Sequence, residues 1–77
     1  MKFALYSQVA LAVDVPEHHL RKGDIATVAD RFEKGGYVLE VFNALGESVD
    51  VLTLPESSLE PLQADELFQI RHFAAAA

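Results

Sequence analysis

The run Leu20-Arg21-Lys22-Gly23-Asp24-Ile25-Ala26-Thr27-Val28 sets a charged turn, closed by Gly-Asp, directly before a β-forming strand. Gly23 supplies a backbone conformation that few other residues tolerate, while Ile25, Thr27 and Val28 favour the extended chain that follows. The strand runs on to Phe32. Glu33-Lys34-Gly35-Gly36 then reads as a hairpin connection, because adjacent glycines supply the positive φ such turns need. Tyr37-Val38-Leu39-Glu40-Val41-Phe42 is the strongest strand pattern in the chain. Asn43-Ala44-Leu45-Gly46 turns it back, with Gly46 in the left-handed position of a bulge, into a strand from Ser48 to Leu54.

Upstream, Gln8-Val9-Ala10-Leu11-Ala12-Val13 is an apolar run of strand length with Val9, Leu11 and Val13 on one face. Asp14 and Pro16 stop it, since proline has no amide hydrogen for a ladder. The polar loop from Glu17 to Lys22 carries one apolar residue, Leu20, expected to fold back onto the rim of the fold. Downstream, Pro55-Glu56-Ser57-Ser58-Leu59 suggests a helical turn, and Glu60-Pro61-Leu62 a brief edge strand where proline is tolerated. Asp65 is placed to cap one turn at Glu66-Leu67-Phe68, and the alternation through Phe68, Ile70 and His72 predicts a strand after it. Residues 74–77 are a low-complexity alanine tail, leaving residues 1–73 as a single domain. Short strands at close spacing with glycine-containing turns indicate an all-β fold. The expectation is a small SH3-like barrel of five to six strands with one short helical turn and a C-terminal extension. A small open sheet that dimerises through its edge is the alternative.

Seventy-seven residues without cysteine lack the disulfides and cysteine-based metal sites that support many small domains. Self-association is the remaining common support, so a homo-oligomer is expected. Absence of cysteine fits a reducing compartment, and the amino terminus shows no signal peptide or bilayer-spanning run, which points to the cytoplasm and away from membranes. Twelve acidic residues against six Lys and Arg leave a net charge of −6. That field repels a phosphate backbone and suits a basic protein partner, or simply solubility.

No motif carries chemistry. Glu17-His18-His19 is the nearest approach to a metal cluster, but adjacent strand residues face opposite ways and no His-x-His or His-Glu-x-x-His spacing is present. Ser7, Ser48, Ser57 and Ser58 lack a nucleophile-elbow setting. Asp24 with Asp30, or Glu40 with Asp50, are carboxylates on neighbouring strands that read as solvated outward faces rather than an acid-base pair, which needs a cleft. Catalytic, cofactor and metal residues are therefore assigned as none, and the chain is read as non-enzymatic. A basic patch of Arg21, Lys22, Arg31, Lys34 and Arg71, with Phe32 and Tyr37 as stacking platforms, supplies an RNA-binding alternative.

The chain resembles a small, mostly bacterial family, domain of unknown function 4926. The resemblance rests on Val9-Ala10-Leu11 with Asp14-Val15-Pro16-Glu17 and on the Leu20 to Val28 run. Tyr37 to Phe42 with Gly46-Glu47, and Leu52-Thr53-Leu54 before Leu59-Glu60-Pro61-Leu62, complete it over about Ser7 to Leu62. It implies an SH3-like barrel with no established activity. It also motivates an antitoxin-like or accessory subunit that binds a basic, toxin-like enzyme. Ala26 stands where glycine is usual in the family, and Val38 where a polar residue is common.

Val38 is part of an apolar excess on faces that ought to be wet. If Tyr37, Leu39 and Val41 point inward, Val38 and Phe42 flank Glu40 outside. If Val49, Val51 and Thr53 face the core, Leu52 and Leu54 add to the outer face. The tail contributes Leu67, Phe68, Ile70 and Phe73. Contiguous exposed apolar patches mark interaction sites. Val38, Phe42, Leu52, Leu67, Phe68, Ile70 and Phe73 are thus the expected interface of a self-associating interaction module. A tail that folds over the outer face of its own chain is the competing reading.

Overall fold

A computed structural model describes residues 2–73, and the alanine tail at 74–77 lies outside the described residues. The fold is all-β. Five antiparallel strands form one open sheet in the order β4-β3-β2-β1-β5, with β1 Gln8–Leu11, β2 Ile25–Arg31, β3 Gly36–Phe42, β4 Ser48–Pro55 and β5 Leu59–Pro61. Two single 3-10 turns interrupt it, at Pro16–His18 and at Glu56–Ser58. The second is the expected helical turn before Leu59. The first was not anticipated, although Pro16 has the fixed φ that suits the opening of a helical turn.

The strands alternate as their sequences demand. Val9 and Leu11 of β1, Ala26 and Val28 of β2, and Tyr37, Leu39 and Val41 of β3 are all buried in one core. Val15 and Leu20 join it through the bridge that pairs them, so Leu20 does fold back from its polar loop. Phe3 packs edge-on against Tyr37 with ring centroids 5.5 Å apart. The Tyr37 hydroxyl accepts the backbone N–H groups of Lys2 and Phe3 at 3.0 and 3.2 Å and donates to Glu56 Oε2 at 2.9 Å. One buried phenol thereby ties the amino-terminal segment to the turn that enters β5.

Two irregularities bend the sheet. Pairing of β2 with β3 shifts between Val28 and Asp30. Pairing of β3 with β4 shifts where Val41 opposes Asp50 but Phe42 opposes Ser48, leaving Val49 as the extra residue. Such bulges sharpen local twist and re-aim the side chains around them. The second one decides which face of β4 is inside. Leu39 lies opposite Leu52 and Tyr37 opposite Leu54, and directly opposed residues share a face. Leu52 is consequently a core residue at 6% exposure, with Leu54 packed against the core, while Val51 is 55% exposed. This corrects the expected register of β4: Val49, Val51 and Thr53 face outward, and Leu52 is no part of an outer patch.

Two further expectations are corrected. Strand β1 stops at Leu11, because the Ala12 N–H turns to Ser58 O at 2.8 Å, and Val13 is exposed. The segment after β5 forms neither a helical turn at Glu66 nor a strand through Ile70. It runs instead as an irregular strap, reaching no sheet edge on which to build a ladder.

Candidate interaction surface

The outer face of the sheet is built by the residues that alternate with the core. Ala10, Ile25, Thr27 and Glu40 stand on it, because Ala10 pairs with Ile25 and Thr27 with Glu40 across the ladder. The strap of residues 62–73 lies over one end of this face and leaves a groove of about 1290 Å³ beneath it. Ala10, Ile25 and Thr27 line the groove from the sheet. Phe42 and Val49, at the bulged end of the β3–β4 hairpin, line it from the side.

The strap is fixed at its far end. Arg71 Nε donates to Asp24 Oδ1 at 2.8 Å, its Nη2 donates to Asp24 Oδ2, and the same nitrogen reaches His19 O at 3.3 Å. The Gly23-Asp24 turn prepares this site from its own backbone. The N–H of Arg21 donates to Asp24 Oδ2 at 2.7 Å, and the Gly23 N–H donates to Leu11 O at 2.8 Å. Partial burial pushes the Asp24 carboxyl up, but the hydrogen bonds from Arg71 and Arg21 and both guanidinium charges bring it below its ordinary value. The hydrogen bond to Asp24 outweighs partial desolvation and raises the Arg71 guanidinium in turn. Two residues on, Phe73 packs against the core and meets the His19 ring edge-on at 6.3 Å. His19 itself sits in the left-handed region, at φ 58°, where the Pro16–His18 turn ends.

Between these anchors and β5 the strap presents large apolar side chains to water. Leu67 is 88%, Phe68 66% and Ile70 97% exposed. Of the expected interface residues, Phe42, Leu67, Phe68, Ile70 and Phe73 surround the groove. Phe73 is an anchor rather than a free contact. Val38 is half-buried on the outer face opposite Thr53, away from the groove lining, and Leu52 is in the core. The Asp24–Arg71 pair is not legible in the sequence, where the two residues stand 47 positions apart in separate charge groups. Val49 and Val51 escape the sequence reading as exposed residues because its bulge lies at Gly46, not at Val49.

The remaining candidates are placed as follows. His18 Nδ1 lies 2.7 Å from Asp50 Oδ2, tying the Pro16–His18 turn to the edge strand β4. Among the described residues no group of three or more His, Cys, Asp or Glu is arranged to hold a metal ion. Of the carboxylates read as solvated outward faces, Asp24 is engaged by Arg71 and Asp50 by His18. Tyr37 is fully buried, which removes it as a stacking platform for a base. No helix among the described residues is long and apolar enough to cross a membrane.

No curated protein and no solved structure matches the chain. A family model does match, over residues 5–61, a stretch that ends with β5 and includes the Gly23-Asp24 turn beneath the strap. The protein belongs to the family described as Domain of unknown function (DUF4926).

Proposed function

We propose that this domain is a non-enzymatic interaction module that associates with itself through the grooved outer face and the strap. The observation that carries the reading is the set Leu67, Phe68 and Ile70, exposed together around a groove that Phe42 also lines. Isolated apolar residues on a surface need no explanation, but several large ones around one concavity mark a contact surface. A chain of this size without cysteine gains stability from association that it cannot obtain from disulfides. Strand order β4-β3-β2-β1-β5, with a 3-10 turn entering β5, supports reading the sheet as an SH3-like barrel. The reading places the protein in the cytoplasm, in keeping with a cysteine-free chain.

Light scattering after size exclusion tests this on the wild type and on the double variant Phe42→Asp, Ile70→Asp. An oligomer that the double variant converts into a folded monomer supports self-association. A wild type that is monomeric at micromolar concentration overturns it. The net charge of −6 favours a second reading, an antitoxin-like or accessory subunit that covers a basic enzyme. Co-purification with the product of an adjacent gene for a small basic enzyme supports that reading, and failure of the two to co-purify rejects it.

A further inference from the structure

We infer that residues 62–73 are a clasp exchanged between two copies of the chain, with Arg71 and Phe73 of each copy seated on the partner's Asp24 and His19. The inference rests on the self-association reading and names the contact through which it occurs.

The receptor for the clasp is complete without it. Asp24 is oriented by the Arg21 N–H, and its turn by the Gly23 N–H to Leu11 O. A further bond runs from the Lys22 N–H to Asp14 Oδ1, at 2.9 Å. All these partners lie within residues 11–24. The site thus offers a carboxylate oriented by its own turn together with the His19 carbonyl and ring, matched to a segment carrying Arg and, two residues later, an aromatic. The occupant seated there, Arg71-His72-Phe73, shows which sequence fits it, and a second copy supplies the same one.

The segment before those anchors has almost nothing to hold it in cis. Among the described residues its one backbone hydrogen bond is from the Glu66 N–H to Gln63 O at 3.1 Å, closing a turn. The Gln63 N–H to Glu66 Oε1 bond, at 2.5 Å, belongs to the same turn. Opening it loses these two local bonds and converts the segment into an extended arm. Ten residues, 62–71, then span about 33 Å at 3.3 Å each, comparable with the 36 × 28 × 21 Å domain. An arm of that length reaches the Gly23-Asp24 turn of a neighbouring copy. Every contact at the anchors is the same in cis and in trans, which is what makes exchange of an identical element a low-cost route to a dimer. What differs is Leu67, Phe68 and Ile70: in cis they face water, and two crossing arms bring them against each other.

Charge reversal tests the exchange in the full-length chain. Asp24→Arg spoils the receptor and Arg71→Asp spoils the clasp, so each variant alone sets like charges together both in cis and in its own homodimer. Only an equimolar mixture puts opposite charges at both clasps of a reciprocal pair. Native mass spectrometry, with circular dichroism as the check on folding, is expected to show a wild-type dimer, two monomeric variants and a heterodimer in the mixture. Should both variants dimerise as the wild type does, the exchange is overturned while self-association through another surface stands. Should the wild type and the mixture both remain monomeric, self-association itself fails and the exchange with it. A second measurement needs no variant: isotope-filtered NMR on mixed labelled and unlabelled wild type. Contacts from the Phe73 ring to His19 between differently labelled copies support the exchange, and contacts confined to single chains overturn it.

Discussion

Arg71 closes on Asp24 from 47 residues further along the chain, giving the carboxylate Nε at 2.8 Å and Nη2 together. This bidentate pair is the principal polar attachment of a strap that otherwise runs without a ladder over the outer face of the sheet. A planar fork matched to a carboxylate adds direction as well as attraction, which a lysine in the same place does not reproduce. With Phe73 packed against the core two residues on, the Arg71 side chain fixes the far end of the strap.

Replacing that side chain frees the strap and leaves the sheet alone. Arg71→Ala is expected to cost about 1 kcal/mol or less, since both partners retain some exposure to solvent. Backbone order parameters for residues 62–73 are expected to fall while those of the five strands hold. Loss of order in the sheet would show that the Asp24–Arg71 pair holds the sheet as well as the strap.

Acid releases the same contact. The Asp24 carboxyl has a lower value in the native protein than its ordinary 3.8, so its contribution is fully present above that value. It is lost as pH falls below 3.8 and through the depressed native value, where the carboxyl protonates and Arg71 loses its partner. A pH titration followed by the Arg71 Nε–H resonance should show release in that acid window. Asp24→Asn removes the dependence, and a profile unchanged by it would assign the transition to other carboxylates.

Tyr37→Phe tests the buried phenol. The ring remains, but the N–H groups of Lys2 and Phe3 lose their acceptor and Glu56 its donor. An unpaired buried donor costs about 1–3 kcal/mol. The denaturation midpoint should fall accordingly. Glu56→Gln, whose amide oxygen still accepts from the phenol, should lower it less.

The register of β4 separates two neighbouring residues. Leu52, opposite Leu39 in the core, should lose about 2–5 kcal/mol on Leu52→Ala. Val51 lies opposite Glu40 on the outer face, so Val51→Lys gains an opposite-charge neighbour and should change stability by about 0.5 kcal/mol or less. Urea midpoints for the two variants check this. The reverse order would place Val51 inside and refute the bulge at Val49.

The strands and turns were legible in the residues because their causes are local. Gly23, the Gly35-Gly36 pair and Gly46 mark positions where the chain must turn, and Tyr37 to Phe42 alternates cleanly enough to show its inner face. The face of β4 was not legible. Val49, Val51 and Thr53 form one plausible apolar set and Leu52 with Leu54 another, so a period of two alone cannot choose between them. Only cross-strand pairing with Leu39 and Tyr37, shifted by one bulged residue, decides it.

The tail marks the same boundary. Its alternation through Phe68, Ile70 and His72 satisfies a strand pattern, yet a strand needs a neighbour whose backbone groups are free and within reach. The sequence by itself determined an all-β chain, its turns and most of its core, because those follow from φ preferences and from alternation over a few residues. Tertiary structure alone decided that Asp24 meets Arg71 and that the strap crosses the outer face. Attraction between two charges acts through space, and their separation along the chain holds no sign of it.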